Sequence, residues 1–420
     1  MDNKYFLGTK CVKCGKTFGA DEDLLLCPEC NNLLDPQYDY ERIKKDWAEF
    51  DVKSRPDNIW RFKELLPVCD YDKIVTLGEG GAPFLNCPEI AEELSIAKFY
   101  ILNDATQPTG SLKDRSIAVT ATKAKEFGYD ILSCDSTGNK AASTAGYAAR
   151  AGLKSIVFCP KDTPAPKLEQ ALFFGATLVR VDGHYSIVNA LYREMVASRK
   201  YRWYDCGTDN PYRYEGKKTY AYEIMLNLDY QCPDYVLQPA AGGMSVVKAW
   251  KGFNEFKNMG LVDSLPKMVA CQAENCAPIV AAYERELDFV PGVEKGTTVA
   301  SAIAVANPGL LGNETLRSVQ ESGGCGVAIN DDDLIMAWKR LGRAGIFCEP
   351  SSAVSVAAAY KMSKEGKLSS DSVMVAVVTG SGFKDAATLS TNTHVPEEIV
   401  EGHDAFFEKL EEIQREFDNN

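Results

Sequence analysis

The 420-residue chain lacks an excess of positive charge, since 46 lysine and arginine residues stand against 59 aspartate and glutamate residues, for a net charge of -13. A nucleic acid or an anionic membrane requires a basic surface that offsets phosphate repulsion, so neither is an expected partner. The sequence also lacks an apolar run long enough to cross a bilayer, and residues 1–4 lack the apolar core and cleavage site of a signal peptide. We therefore expect a cytoplasmic protein.

Cysteine, by contrast, is abundant, with 14 residues. Cys11, Cys14, Cys27 and Cys30 form two Cys-x-x-Cys pairs, and four such thiolates complete the tetrahedral shell of a structural zinc site. The pattern predicts a zinc ribbon over residues 1–40, with packed reduced thiols or a degenerate ribbon as the alternatives. The segment is acidic, which favours a structural appendage over a nucleic-acid contact. The other cysteines are scattered singly, as is typical of reduced thiols in an intracellular protein.

Short apolar runs alternate with helical patterns along the rest of the chain. Candidate strands begin near Phe99, Ile131, Ser155, Thr177, Arg202, Tyr235, Met268, Phe347 and Val373. Helical patterns cover Ala118–Phe127 and Ala141–Ala151 and follow Ser245, Cys276, Asp332 and Ser351. This spacing predicts parallel β-α-β units in two α/β lobes with a cleft between them. We assign residues 41–98 to a connector and the start of the large lobe, 99–205 to a small lobe, and 206–420 to the large lobe with a C-terminal helix.

Four polar or glycine-rich turns lie beside these predicted elements, and together they indicate a cofactor site. They are Pro108–Arg115, Ser136–Asn139, Pro239–Gly243 and Thr379–Gly382. In the first, Lys113 stands at a tight turn where a helical run begins, and its amine can act as a nucleophile. The alternative is an ordinary helix start with a solvated lysine. Helices also follow the second and third turns, so free backbone N–H groups there favour an anion, with ordinary helix capping as the alternative.

In this order the four turns resemble those of the threonine synthases, which are fold type II enzymes of the tryptophan synthase beta-like family and depend on pyridoxal phosphate. The resemblance covers most of the chain and includes Trp60–Phe62, Leu77–Gly81, Asn210–Thr219 and Lys384–Asp385. It implies an α/β fold of two lobes, with mostly parallel twisted sheets and a cleft between them, beside the small N-terminal zinc ribbon.

The resemblance also implies which residues contact pyridoxal 5'-phosphate. Lys113 matches the lysine that condenses with the cofactor aldehyde, Asn139 matches the residue that hydrogen-bonds the phenolic oxygen, and Thr379 matches the hydroxyl that faces the pyridine nitrogen. The loop that holds the phosphate matches Ala241, Gly242, Gly243, Met244 and Ser245. All of these except Gly243 depart from the Gly-Asn-x-Gly-Asn pattern of the family, so we expect backbone N–H groups to bind the phosphate.

Substrate contacts follow from the same resemblance. Ser136 and Thr137 match residues that hold the substrate carboxylate, and Thr208 and Arg213 match residues that hold a substrate phosphate. A phosphate monoester carries about -1.5 to -2 charges near neutral pH, which basic groups and hydroxyls can bind; for Arg213 the alternative is a surface salt bridge. Lys140 stands where the family often has threonine or serine, so its ammonium either strengthens phosphate binding or indicates a different substrate.

The resemblance implies a lyase that converts O-phospho-L-homoserine and water to L-threonine and phosphate, by β,γ-elimination followed by hydration at the β-carbon. Lys113 would move protons among the α-, β- and γ-carbons, and the family favours a homodimer. Two alternatives stay open. One is a paralogous enzyme on the same scaffold, either a β-replacement enzyme that resembles cysteate synthase and acts on phosphoserine, or a dehydratase. The other is a non-catalytic regulator that binds a partner through the ribbon.

Overall fold

The computed structural model describes residues 3–294, 296–393 and 399–418. Contacts between Cα atoms divide the chain into two units, of which the first ends at Asp385 and the second begins at Ala386. None of the helices in the described ranges is long and apolar enough to span a membrane.

The N-terminal segment forms a small antiparallel sheet. Its strands are β1 (Phe6–Cys11), β2 (Thr17–Phe18) and β3 (Leu34–Tyr38), in the order β2-β1-β3. Two of the predicted metal ligands, Cys11 and Cys27, are buried here with Phe18 and Leu34. The segment is therefore a small sheet with its own core, followed by helix α1 (Tyr40–Asp46).

The remaining elements of the first unit alternate between strands and helices. The strands are β4 (Phe84–Asn86), β5 (Lys98–Asn103), β6 (Ile131–Asp135), β7 (Lys154–Pro160), β8 (Thr177–Val181), β9 (Tyr204–Asp205), β10 (Tyr235–Pro239), β11 (Lys267–Ala273), β12 (Cys325–Ile329) and β13 (Val373–Val378). The helices are α2 (Pro88–Leu94), α3 (Lys113–Glu126), α4 (Asn139–Ala151), α5 (Pro166–Phe173), α6 (Tyr185–Ala197), α7 (Thr219–Asn227), α8 (Met244–Asn258), α9 (Pro278–Glu284), α10 (Gly309–Glu321), α11 (Asp331–Arg343) and α12 (Pro350–Lys364).

These strands form two sheets. The larger has the order β12-β11-β10-β13-β5-β4, and every neighbouring pair is parallel except β4 with β5. The smaller has the order β8-β7-β6-β9 and is parallel throughout. Strand β13 is apolar at all six positions and largely buried, as expected for a parallel sheet with helices on both faces. The predicted arrangement of mostly parallel sheets is confirmed.

Strand positions after the ribbon agree with the sequence patterns except in three places. The short strand β4 was not predicted. In the described part of the chain no strand begins near Phe347, where only Cys348 makes an isolated bridge, to Ser381. Instead β12 occupies the sheet edge beside β11, a strand that the sequence patterns missed. Its Gly326 interrupts the apolar pattern because helix α9 packs closely there: a Cβ on Gly326 would lie 3.1 Å from the Cα of Val280.

The strand predicted near Phe99 exists, but its sheet differs from the one assigned to it. Strand β5 pairs in parallel with β13 along six residues, from Lys98 opposite Val373 to Asn103 opposite Val378, and so belongs to the larger sheet. The smaller sheet takes its strands from residues 131–205. The periodicity of apolar residues in the sequence indicates that a strand exists. Which strand it pairs with depends on packing along the whole length of the strand.

The second unit contains helices α13 (Ala386–Asn392) and α14 (His403–Asp418). The helix expected at the C-terminus is thus present. Its apolar residues Phe406, Leu410 and Phe417 are exposed and Ile413 is partly exposed.

Candidate active site

The turns singled out from the sequence come together at the carboxyl ends of the parallel strands. Strands β10, β13 and β5 are neighbours in the larger sheet, so the segments after them emerge side by side. The turn after β13 joins the turn before α3, because the N–H of Leu112 donates to the carbonyl of Thr379 at 2.8 Å and the N–H of Ser381 donates to that of Gly110 at 2.9 Å. Such an edge is where ligands bind in open α/β sheets.

Lys113, the first residue of α3, lies partly buried at this edge. Among the described residues its Nζ makes no hydrogen bond or ion pair. Burial lowers the pKa of Lys113 to about 8, and repulsion by Arg213 and Lys140 acts in the same direction, against the opposing attraction of Glu349. The amine is therefore neutral in a substantial fraction of molecules near neutral pH, which a nucleophile requires.

Glu349 connects two of the predicted cofactor contacts. Its carboxylate accepts hydrogen bonds from the Asn139 side chain at 3.1 Å and from the Thr379 hydroxyl at 3.2 Å. Burial raises the pKa of Glu349 above its ordinary value, although these hydrogen bonds and the Lys113 amine oppose the shift. The sequence carries only a weak signal for Glu349, namely a carboxylate directly before Pro350 at the start of α12.

The residues predicted around the substrate carboxylate occupy the start of α4. The Ser136 hydroxyl accepts from the N–H groups of Gly138 and Ala141, both at 3.2 Å, so Ser136 caps the helix. Lys140 is buried and lies 2.6 Å from the carboxylate of Asp135. Its charge is therefore already balanced within the protein. Thr137 and Thr208 are both partly exposed.

Two buried cations have no such balance. In the described part of the chain, the other buried lysine and arginine side chains each lie within 2.8 Å of a carboxylate oxygen: Arg115, Lys123, Lys140, Lys218 and Lys248. Arg213 and Lys217 are each 5% exposed and have no carboxylate within ion-pair distance in the same ranges.

The guanidinium of Arg213 donates hydrogen bonds to neutral oxygen atoms and forms no ion pair with a carboxylate among the described residues. Its Nη1 donates to the carbonyl of Gly207 at 3.0 Å and to the hydroxyl of Tyr214 at 2.8 Å. Its Nε is buried without a hydrogen-bond partner. A surface salt bridge, the alternative for this residue, is not what the structure shows. A buried cation and an unused donor together favour an anionic ligand.

The loop before α8 is a second cluster of unused donors. Within the described ranges, the backbone N–H groups of residues 241–245 donate to no acceptor, and no side chain caps α8. Gly243 has a φ of 80°, and a Cβ there would lie 2.2 Å from Thr315 Oγ1, so only glycine fits. Free N–H groups at the positive end of a helix fit a phosphate group.

The four ribbon cysteines lie together as predicted. Their Sγ atoms are within 4.8 Å of one another, close to the spacing of about 3.8 Å for four sulfurs bound at about 2.3 Å from one zinc ion. The two pairs sit on matching turns: the N–H of Gly15 donates to the Cys11 carbonyl at 3.1 Å, and the N–H of Asn31 donates to the Cys27 carbonyl at 2.8 Å. The donor set and its turns fit a tetrahedral metal.

Residues 75–380 match the family described as pyridoxal-phosphate dependent enzyme. A threonine synthase of Methanocaldococcus jannaschii is 40% identical over 379 residues, which cover 90% of this chain and 92% of the relative. A threonine synthase of Methanosarcina acetivorans is 37% identical and covers 96% of this chain and 98% of the relative. Among solved structures, isoform 2 of threonine deaminase from Solanum lycopersicum aligns with a TM-score of 0.62 at 19% identity, over 74% of this chain and 87% of that one. The last likeness confirms the fold.

The surroundings of Lys113 predict an unusual pH dependence for acetylation of its amine. In the cofactor-free protein, trace acetylation of Lys113 should speed up with pH and level off above about 8, because the amine is neutral above its depressed pKa. An ordinary lysine continues to gain reactivity up to about pH 10.4. Mass spectrometry of the peptide that contains Lys113, with the peptides of exposed lysines as internal controls, measures both profiles. A Lys113 profile that still rises at pH 10 would show that burial does not depress this pKa.

Proposed function

Because this chain belongs to the pyridoxal-phosphate-dependent enzymes and, within them, to the threonine synthases, we propose that it converts O-phospho-L-homoserine and water to L-threonine and phosphate. The observation that carries the proposal is that two buried basic side chains, Arg213 and Lys217, have no carboxylate partner among the described residues and lie beside a lysine amine of depressed pKa. A site of this kind suits a phosphorylated amino acid and a phosphorylated aldehyde cofactor.

The cofactor residues proposed from the sequence fit the geometry. Lys113 would hold pyridoxal phosphate covalently, Asn139 would lie at its phenolic oxygen and Thr379 at its ring nitrogen, and residues 241–245 would hold its phosphate through their free N–H groups. When bound, this cofactor supplies an electron sink that makes the carbon-bound protons of an amino acid acidic. Glu349 orients both Asn139 and Thr379 through one carboxylate.

Lys113 is also the proposed proton carrier. Its Nζ has no hydrogen-bond partner among the described residues, and its pKa of about 8 allows it to accept and return a proton near neutral pH. We assign to Nζ the proton movements at the α-, β- and γ-carbons of the substrate. No other amine in the site combines a free Nζ with a pKa in this range, because Lys140 is paired with Asp135 and Lys217 donates to Ser245.

Arg213 and Thr208 would bind the substrate phosphate. The unused Nε and the missing counter-charge of Arg213 favour this role. Lys140 lies in the same region but shares its charge with Asp135, so we propose a smaller contribution from it. Ser136 and Thr137, at the start of α4, would bind the substrate carboxylate; the Ser136 hydroxyl already accepts two N–H groups and has its own proton left to donate.

Phosphate release from purified holoenzyme with different substrates tests the function. We expect release with O-phospho-L-homoserine and formation of L-threonine, and little release with phosphoserine. In Arg213→Gln the KM for phosphohomoserine should rise roughly tenfold to hundredfold, the value of one charge-assisted hydrogen bond in a buried site.

Arg193→Gln is the matched control, because Arg193 is a half-exposed arginine that pairs with Asp209 near the same segment. We expect its KM to stay unchanged. An unchanged KM in Arg213→Gln would overturn the phosphate assignment, and faster turnover of phosphoserine would overturn the substrate.

We further propose that Cys11, Cys14, Cys27 and Cys30 bind one structural zinc ion. The clustered sulfurs and matching turns support this. A cytoplasmic location is proposed from the sequence, in which the cysteines outside the ribbon are scattered singly. A homodimer is proposed from the family resemblance.

Elemental analysis tests the zinc site. Protein purified without chelators should contain about one zinc ion per chain, and Cys14→Ser/Cys30→Ser should contain almost none, because two remaining thiolates do not complete the tetrahedral shell. Cys232→Ser, which changes a cysteine outside the cluster, should keep its zinc. Equal zinc in the double variant and the wild type would refute the assignment.

A further inference from the structure

Lys217 is a buried amine that the sequence patterns left without a role. Its one hydrogen bond among the described residues runs from Nζ to the Ser245 hydroxyl at 3.0 Å. The ring centroid of Tyr214 lies 5.7 Å from the same Nζ. Neither partner carries a negative charge, so among the described residues a protonated Lys217 would have no counter-ion.

The next residue shows that the fold provides such counter-ions elsewhere. Lys218 is fully buried, and its Nζ lies 3.0 Å from Glu215 and 2.8 Å from Glu255. Lys217 and Lys218 are adjacent residues of one 3₁₀ segment, Tyr212–Lys218. The Lys218 amine contacts carboxylates, whereas the Lys217 amine contacts the Ser245 hydroxyl. Both lysines are buried, and Lys217 differs from Lys218 because it has no carboxylate partner.

Ser245 lies in the first turn of α8, where the free N–H groups of residues 241–245 are located. Lys217 therefore places a basic amine, which a bound anion would keep protonated, at a loop that already presents unused backbone donors. An ammonium, a hydroxyl and several amide donors together are what a tetrahedral oxyanion requires.

We propose that Lys217 pairs with the phosphate of pyridoxal phosphate at the start of α8 and supplies the positive charge for its binding. The inference rests on the proposed function, since it names a further residue of the same cofactor site. Burial, with repulsion by Lys113 and Arg213, lowers the pKa of Lys217 well below its ordinary value. A bound dianion reverses that penalty, because it favours the charged amine.

We infer that Arg213 and Lys217, the two buried basic side chains without carboxylate partners, bind two different phosphates. Tyr214 lies between them, with its ring centroid 4.7 Å from the Arg213 guanidinium and 5.7 Å from Lys217 Nζ. Arg213 is directed to Gly207, beside Thr208, whereas Lys217 is directed to Ser245. We therefore assign Arg213 to the substrate phosphate and Lys217 to the cofactor phosphate.

Binding of pyridoxamine phosphate and of pyridoxamine to the cofactor-free protein tests the assignment. Neither compound has an aldehyde, so the comparison isolates phosphate recognition from the chemistry of Lys113. Wild-type protein should bind the phosphorylated compound far more tightly. In Lys217→Met this preference should fall about tenfold to hundredfold, while the affinity for pyridoxamine stays the same. Lys217→Arg should recover part of the preference.

Lys251→Met is the matched control. Lys251 is itself a residue of α8, but it lies beyond the first turn of the helix and pairs with Asp35 and Glu215. We expect its preference for the phosphorylated compound to equal that of the wild type. Thermal unfolding of the cofactor-free variants checks folding, and Lys217→Met should be at least as stable as the wild type because it removes a buried amine without a counter-ion.

The outcomes separate this inference from the proposed function. If the wild type shows no preference for the phosphorylated compound, the phosphate site itself is wrong and the proposed function fails with it. If the wild type shows the preference and a folded Lys217→Met keeps it, Lys217 does not bind the cofactor phosphate. Equal loss of affinity for both compounds, or a change confined to the KM of the substrate, would likewise overturn the assignment.

Discussion

Positive charge that is buried without a counter-charge is the constraint on which the site depends. Moving an ammonium or guanidinium out of water costs several kcal/mol, and a protein recovers that cost through a paired carboxylate or a bound anion. Most buried cations of this chain use carboxylates: Arg115 lies 2.8 Å from Asp104, and Lys248 lies 2.6 Å from Glu215. In the described ranges, Arg213 and Lys217 have no such carboxylate. The chain as a whole carries a net charge of -13, so two buried basic side chains without carboxylate partners stand out against its overall acidity.

The two parallel sheets both place helix starts and polar turns beyond the carboxyl ends of their strands. Helices α4 and α8 begin directly beyond β6 and β10, which directs their positive ends and free N–H groups toward the same region. Lys113 begins α3 beyond β5, and Glu349, which directly precedes α12, bonds to the turn after β13. Repulsion from Arg213 therefore contributes to the depressed pKa of the Lys113 amine. The positive charge of Arg213 thus serves both anion binding and amine reactivity, although burial is the larger cause of the depressed Lys113 pKa.

Much of this arrangement could be predicted from the sequence, because local patterns determine it. Apolar runs gave most strands, and the paired cysteines gave the ribbon. Lys113, Asn139 and Thr379 were identified through the resemblance to the threonine synthases, and in the structure Glu349 accepts hydrogen bonds from both Asn139 and Thr379. Glu349 and Lys217 could not be identified in this way, because their importance lies in what surrounds them. A lysine is common in any sequence, and only the folded chain shows that Lys217 lacks the carboxylate that Lys218 has. Local sequence patterns also could not predict which strands pair with one another, as the pairing of β5 with β13 shows.

The most direct test of this account is a titration of the cofactor-free protein with inorganic phosphate, followed by thermal unfolding. We predict a saturable rise in melting temperature that sodium chloride at equal ionic strength does not produce, because phosphate supplies the missing counter-charge and binds only the folded state. The rise should be absent in Arg213→Met/Lys217→Met. If phosphate and chloride act alike, or if this double variant responds as the wild type does, the two cations do not form an anion site and the account is contradicted.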